Sequence, residues 1–232
     1  MAGAHADMVS IIVPVLNEAA SLAATLRPLV GAPASELIVV DGGSQDGTRD
    51  IARQFTDRVF TGARGRGQQM NFGALQARGP ILLFLHGDTQ LAPSTLDAVR
   101  SSMADEAVAG GAFRLRIAAD RRPGLKIIAW GANARSRCFG LPYGDQALFT
   151  RRTTFEAIGG FPPWPLMEDV ECVRRLRRRG RVVMLPDAVV TSGRRWEQNG
   201  VVRTTAWNWA LLAGFWLGVP PSRLAQWYHP VR

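Results

Sequence analysis

Short, continuous apolar runs alternate with amphipathic stretches through the first half of the chain. SIIVPVLN (10–17) is a run of strand length that ends in polar residues, and Leu22, Leu26 and Leu29 follow at helical spacing. ELIVVDGG (36–43) repeats the pattern, with Asp46 expected as N-cap of a helix that buries Ile51 and Phe55. RVFTG (58–62) reads as a third strand, GRGQQMNFGALQAR (65–78) as a helix, and PILLFLHGDT (80–89) as a fourth strand apolar on both faces. Strands this apolar, alternating with helices, predict a mostly parallel sheet covered on both sides.

After about residue 105 the pattern changes. AVAGGAFRLRI (107–117) alternates like an antiparallel strand, and 118–145 shows no clean period. In LMEDVECVRRLRRRG (166–180), Val170, Val173 and Leu176 share one helix face, while the arginines at 174, 175, 177, 178 and 179 form a solvated face. RVVMLPDAVV (181–190) reads as a late strand. With no linker-like stretch, the expectation is one domain over 1–232: a nucleotide-binding half (8–117), an acceptor and catalytic half (118–200) and a C-terminal helical extension (201–232).

Parallel α/β sheets bind ligands beyond the carboxyl ends of their strands. Asn17 and Glu18, Asp41, and Asp88 each fall at such an end, so three loops deliver acids or amides to one edge. Gly42 and Gly43 let the chain turn there and leave room for a flat ligand. Asp41 can accept hydrogen bonds from a base or ribose, or simply end its strand in a turn. Asp88, after Gly87 in HGDT, is assigned to Mg²⁺ or Mn²⁺, because a carboxylate beside phosphates needs a cation between them. Arg64 and Arg66 then neutralise the remaining phosphate charge.

Charge and composition narrow this picture. The 232 residues are 47% apolar and 20% charged, with a formal net charge of +9, which favours an anionic partner. The basic residues are not interleaved with aromatics in a stacking motif, which argues against nucleic acid. Cys138 and Cys172 form neither a disulfide framework nor a zinc motif and read as reduced thiols. The N-terminus lacks a signal-peptide pattern, so a cytoplasmic location is expected. The uncharged stretch 204–222 reaches span length but carries Asn208, glycines and a Pro-Pro step, so it is not read as transmembrane. A helix covering the core, or a homodimer contact, is the favoured reading. Peripheral membrane contact through Trp207, Trp209 and Trp216 beside Arg203 and Arg223 is the alternative.

PVLNE (14–18), VVDGGSQDGT (39–48), GRGQQMNFG (65–73), HGDT (86–89) and LMEDVE (166–171) together resemble family 2 glycosyltransferases of the GT-A fold. RGRGQQMN, YGDQ and SGRRWEQNG are most similar to a bacterial subgroup associated with radical-SAM and selenodomain genes, of the arsenosugar-biosynthesis type. The resemblance implies a three-layer α/β/α fold with a Rossmann-like, mostly parallel sheet. It implies an inverting transfer from a nucleotide-diphosphate sugar, UDP-sugar favoured, to a hydroxyl of a small-molecule or lipid acceptor. By it, Pro14, Glu18 and Asp41 hold the base and ribose, with Gly67 and Asn71 beside them. Asp88 matches the last acid of the family's metal motif, whose first position is His86 here. Asp169 matches the general base, and Arg195, Trp196 and Arg203 lie where relatives close over the donor. His86 is expected to be a packed histidine, and Asp169 carries the alternative of a plain helix cap. Tyr143, Asp145 and Gln146 of LPYGDQ are acceptor contacts or the shape of a glycine turn; Glu168 joins that group, and Trp164 is a sugar-stacking wall or a loop anchor. The rival readings are a nucleotidyltransferase, which needs a lysine at the phosphates where the chain's only lysine is Lys126, and a non-catalytic nucleotide-binding or membrane-associated protein.

Overall fold

The computed structural model describes residues 7–118, 123–139 and 142–228, without the side chains of 123, 126, 127, 135, 137–139 and 195. Eight strands form one sheet in the order β3-β2-β1-β4-β7-β6-β8-β5. They are β1 (Val9–Val15), β2 (Ser35–Asp41), β3 (Val59–Thr61), β4 (Ile81–Phe84), β5 (Thr89–Gln90), β6 (Val108–Ala118), β7 (Leu148–Arg151) and β8 (Arg181–Ser192). The helices are α1 (Leu22–Leu26), α2 (Thr48–Arg53), α3 (Arg66–Gln76), α4 (Thr95–Ala104), α5 (Pro123–Phe139), α6 (Arg152–Ala157), α7 (Glu168–Arg177), α8 (Arg194–Asn199), α9 (Val201–Trp216) and α10 (Pro221–Trp227).

Strands β3, β2, β1 and β4 are mutually parallel, as the apolar runs predict. Alternate residues of β1 point to opposite faces. Ile11 and Val13 pack with Leu22 and Leu26 of α1 and Val99 of α4, whereas Ile12 packs with Met70 of α3 and Val173 of α7. The expected three layers are therefore present. Helix α3 approaches β1 closely, because a Cβ on Gly73 would lie 2.4 Å from Ile12 Cγ2.

The second half differs from the sequence reading in several places. β6 pairs antiparallel with β7 at Gly110 and Gly111, as its alternation predicts, but runs parallel to β8 over most of its length. Residues 123–139, inside the segment without a clean period, form α5. The fourth strand stops at Phe84, and His86–Asp88 lie in the loop before β5. The N-cap of α2 is Gly47, not Asp46. Asp46 works one residue earlier, accepting hydrogen bonds from the Thr48 N–H at 3.1 Å and the Thr48 hydroxyl. Helix α4 and strand β7 had no counterpart in the reading of the apolar pattern.

Glu36 ties four elements together at the edge of the sheet away from those loops. Its carboxylate accepts from Ser10 Oγ at 2.6 Å and from the N–H groups of Arg78 and Gly79 at 2.5 and 3.2 Å, and it pairs with Arg58. Burial alone would raise its pKa, but these donors outweigh it and hold the carboxyl below the usual value. A carboxylate with a depressed folded-state pKa stabilises the protein above the unfolded value and loses that contribution as pH falls toward the folded value. Glu36→Gln is expected to cost about 1–3 kcal/mol at pH 7. It should also flatten the loss of stability on acidification below about pH 4.5. Denaturant titrations of both proteins across that range check both effects.

Candidate active site

The site begins where β1 and β2 end side by side, Val15 opposite Asp41. The loops that follow are laced together. Asn17, at φ +55°, donates its N–H to Ser44 Oγ at 2.9 Å and accepts from the Gln45 N–H at 2.9 Å through Oδ1. The Glu18 N–H donates to Thr48 Oγ1 at 2.8 Å and the Ala19 N–H to Asp46 Oδ2 at 3.0 Å. Beneath them Gln69 of α3, which sequence reasoning missed, donates to the carbonyls of Val15 and Val40 at 2.8 and 2.7 Å.

A cavity of about 930 Å³ opens beyond these loops. Pro14, Glu18, Arg64, Arg66, Gly87, Asp88, Tyr143, Asp145, Trp164, Glu168, Asp169 and Trp196, all singled out in the sequence, line it. Asp41 does not. It is fully buried, and its carboxylate accepts from the Gly43 and Ser44 N–H groups, at 3.1 Å each, and from the Ser44 hydroxyl, so it shapes its own turn. Gly43 serves that turn at φ +94°. Gly67 packs against the carbonyl of Pro162, which a Cβ would meet at 3.1 Å. Asn71 clamps the backbone of Phe161, donating to its carbonyl at 2.8 Å and accepting from its N–H at 2.9 Å. Gln146 is a buried peg that donates to the Phe113 carbonyl at 3.0 Å and accepts from Ser136 at 2.7 Å. Arg203 is exposed on α9 and away from the lining, and the Arg195 side chain lies outside the described residues.

At the polar end, Asp88 and Glu18 face each other, and Arg194, unremarked in the sequence, pairs with Glu18 at 3.0 Å. Burial raises the Asp88 pKa, the Glu18 charge raises it further, and Arg194 only partly opposes them. His86 Nε2 is buried with no hydrogen-bond partner among the described residues. Burial, then the charge of Arg66, push its pKa down to about 3, so the imidazole is neutral at pH 7.

The opposite wall is the first turn of α7. Met167 adopts φ +65° immediately before it, and Glu168, Asp169 and Glu171 follow, each less than a tenth exposed. Asp169 accepts from the Gly144 N–H at 2.7 Å and from its own helix at the Val170 N–H, 2.8 Å; Arg66 lies 3.9 Å away. Arg66 also pairs with Glu168. Burial raises the Glu168 pKa, and Asp169 adds to the rise against the opposing Arg66 charge. Within the arginine run, Arg174 and Arg175 bind Glu171 at 2.6 and 2.9 Å rather than standing free in solvent. Cys172, behind the acids, is a buried free thiol, and burial pushes its pKa up. Trp164 both lines the cavity and anchors its loop, meeting Phe215 edge-on at 6.1 Å.

The curled, mostly parallel sheet is that of GT-A glycosyltransferases. Solved structures with this fold include Staphylococcus aureus TarS 1–349 (TM-score 0.64, 20% identity, 80% of this chain and 60% of that one). They also include the mannosyltransferase PcManGT from Pyrobaculum calidifontis in complex with GDP-Man and Mn²⁺ (TM-score 0.64, 23% identity, 78% and 56%). A third is glucosyl-3-phosphoglycerate synthase from Mycobacterium tuberculosis with Mg²⁺ and UDP (TM-score 0.60, 18% identity, 86% and 77%). The model of the family described as Glycosyl transferase family 2 matches residues 10–158, and the chain belongs to that family. Glycosyltransferase AglE of Haloferax volcanii is 41% identical over 91 residues, 34% of this chain and 30% of that protein. Validoxylamine A glucosyltransferase of Streptomyces hygroscopicus subsp. jinggangensis is 33% identical over 119 residues, 47% of this chain and 28% of that protein. These matches thus span less than a third of either relative's length.

An acid whose folded pKa lies above its unfolded value costs stability as pH rises through that interval, because the folded state holds its proton longer. Asp88 is such an acid. Asp88→Asn is therefore expected to raise the melting temperature of the ligand-free protein at pH 7, with the difference closing as pH is lowered and the wild-type carboxyl protonates. Thermal unfolding of both proteins at several pH values measures this.

Proposed function

We propose that this chain transfers a sugar, with inversion at the anomeric carbon, from a nucleotide-diphosphate donor to an acceptor hydroxyl. The observation that carries the reading is the convergence on one cavity of Glu18 and Asp88, from the ends of β1 and β4, with Asp169 on α7. Family membership supports it. So do the UDP, UDP-GlcNAc and GDP-Man recorded in complexes of proteins with the same fold. UDP-sugar is the favoured donor, and the arsenosugar-type subgroup remains part of the proposal on the strength of RGRGQQMN, YGDQ and SGRRWEQNG.

Asp169 is the base. Hydrogen bonds from Gly144 and Val170 fix its carboxylate without closing it off from the cavity. It takes the proton of the acceptor hydroxyl as that oxygen attacks the anomeric carbon from the side opposite the diphosphate. The new carbon–oxygen bond forms as the bond to the diphosphate breaks, and the electron pair leaves with the nucleoside diphosphate. Arg64 and Arg66, which line the cavity, supply positive charge for that developing charge.

Asp88 and Glu18 fit a divalent cation. They are two partly desolvated carboxylates whose mutual repulsion raises the Asp88 pKa, a cost that a cation relieves. Among the described residues no group of three or more acids, histidines or cysteines could hold a metal ion. Mg²⁺ or Mn²⁺ would therefore draw most of its shell from phosphate oxygens and water. Once bound, it supplies positive charge to the leaving diphosphate.

A thermal-shift screen of UDP-, GDP- and dTDP-sugars with Mn²⁺ tests the donor, since a ligand of the native state raises its melting temperature. With the stabilising donor, Asp169→Asn is expected to lower donor hydrolysis by about 10²–10⁴-fold while keeping the thermal shift. Unchanged hydrolysis in that variant would remove Asp169 from the chemistry. Absence of stabilisation by every donor would overturn the reading.

A further inference from the structure

Helix α9 has a composition suited to a protein interior, yet most of it faces solvent. Arg203 is its one charged residue, and Thr204 and Leu211 are its only buried ones. At 3.6 residues per turn, Val202, Ala206, Trp209, Ala213, Trp216 and Leu217 fall on the side opposite Thr204 and Leu211, and all six are exposed. Val202 is 82%, Trp209 55%, Trp216 52% and Leu217 85% exposed. An apolar surface of this extent on a helix marks a contact with something else. The contact is not with the sheet: α9 and α10 share a separate small cluster of Leu166, Leu211 and Leu224.

Two further features say what covers it. Helix α5 packs against α9, with Gly124 close to Val201, and adds Trp130, which is 72% exposed. Neither α5, α9 nor α10 contains an acid, whereas they carry Lys126, Arg135, Arg137, Arg203 and Arg223. Tryptophan with arginine and no acid is the composition of a surface that enters the headgroup zone of an anionic bilayer. A second copy of this chain would set like charges against each other with no acid to pair them.

We propose that the outer face of α9, with Trp130 of α5 and Arg223 of α10, docks on an anionic membrane surface. The tryptophans lie among the headgroups and the arginines on lipid phosphates. No helix among the described residues is long and apolar enough to cross a membrane, so the contact is one of lying on the surface. Trp130 and Trp209 line the cavity as well as the exposed face, so docking turns the cavity toward the bilayer. Its apolar wall, with Ile128, Leu166, Leu211 and Leu212, would then receive the acyl or prenyl part of a lipid whose hydroxyl is the acceptor. That last step alone rests on the glycosyl-transfer reading.

The test is flotation of the full chain with vesicles of phosphatidylcholine alone and of phosphatidylcholine with phosphatidylglycerol. Binding is expected to the mixed vesicles and to be weaker by on the order of tenfold to the neutral ones. Trp216→Ser combined with Leu217→Ser, and separately Arg223→Glu, should each lower binding to the mixed vesicles by on the order of tenfold. All three residues lie outside the cavity, so thermal stabilisation by donor should persist and report that the variants fold. Quenching of wild-type tryptophan emission by brominated phosphatidylglycerol gives a second readout that needs no variant. Lack of flotation, equal binding to both vesicles, or a concentration-dependent dimer abolished by the double substitution would overturn the proposal. Vesicle binding is read without donor, so it stands or falls separately from the thermal-shift screen.

Discussion

Three carboxylates confined to the first turn of α7 set the electrostatic problem that much of the neighbouring structure answers. Glu168, Asp169 and Glu171 are nearly inaccessible to water, and a buried charge is costly unless cations and hydrogen bonds compensate it. The helix N-terminus contributes part, the Gly144 N–H fixes Asp169, and Arg174 and Arg175 take Glu171. Arg66 serves the remaining two from across the cavity. Its position depends on α3 pressing against the sheet through Gly73 and on Asn71 holding the Phe161 backbone. Packing of an ordinary helix thus decides where the site's central cation sits.

The parallel half of the fold was legible because β1, β2 and β4 are largely buried on both faces and so leave unbroken apolar runs, whereas β3 is a short, partly buried edge strand. The start of α7 was legible for a different reason: the apolar stripe Val170, Val173 and Leu176 marks a helix, and acids are favoured in its first turn. Helix α5 was not legible. Its residues pack against α9 and β6 rather than over the parallel strands, so no simple 3.6-residue stripe marks it. β6 belongs to both pairing types, and its alternation reports only the antiparallel neighbour.

At the site, sequence position predicted many of the residues that line the cavity but not which polar side chains are spent inside the protein instead. Asp41 sits at a strand end like Asp88, and the two have different surroundings. The turn after Asp41 presents two N–H groups and a hydroxyl to its own carboxylate, whereas Asp88 has a 3.4 Å contact from Thr89 and faces Glu18, whose charge Arg194 partly offsets. Asn71 and Gln146 likewise donate to backbone 90 and 33 residues away, long-range bonds with no local signal, although Gln146 also accepts locally from the Tyr143 N–H. Arg194 was missed for the same reason. Its pairing with Glu18 spans 176 residues and follows from the β8–β5 edge, where the Ser192 N–H meets the Asp88 carbonyl.

Part of the net charge of +9 acquires a meaning from its place on the helices. At the site Glu18, Glu168, Asp169 and Glu171 each have an arginine partner, while α5, α9 and α10 hold basic residues and no acid. Exposed Arg203 and Arg223 therefore belong to the same helices as the exposed tryptophans Trp209, Trp216 and Trp227. The cavity lining is mixed, with Glu18 and Asp88 among its ionic residues and Trp130 and Trp209 among its apolar ones. On the proposed reading, such a lining suits a ligand that is itself charged at one end and greasy at the other. Charge left among tryptophans, or hydrocarbon among carboxylates, would weaken its binding.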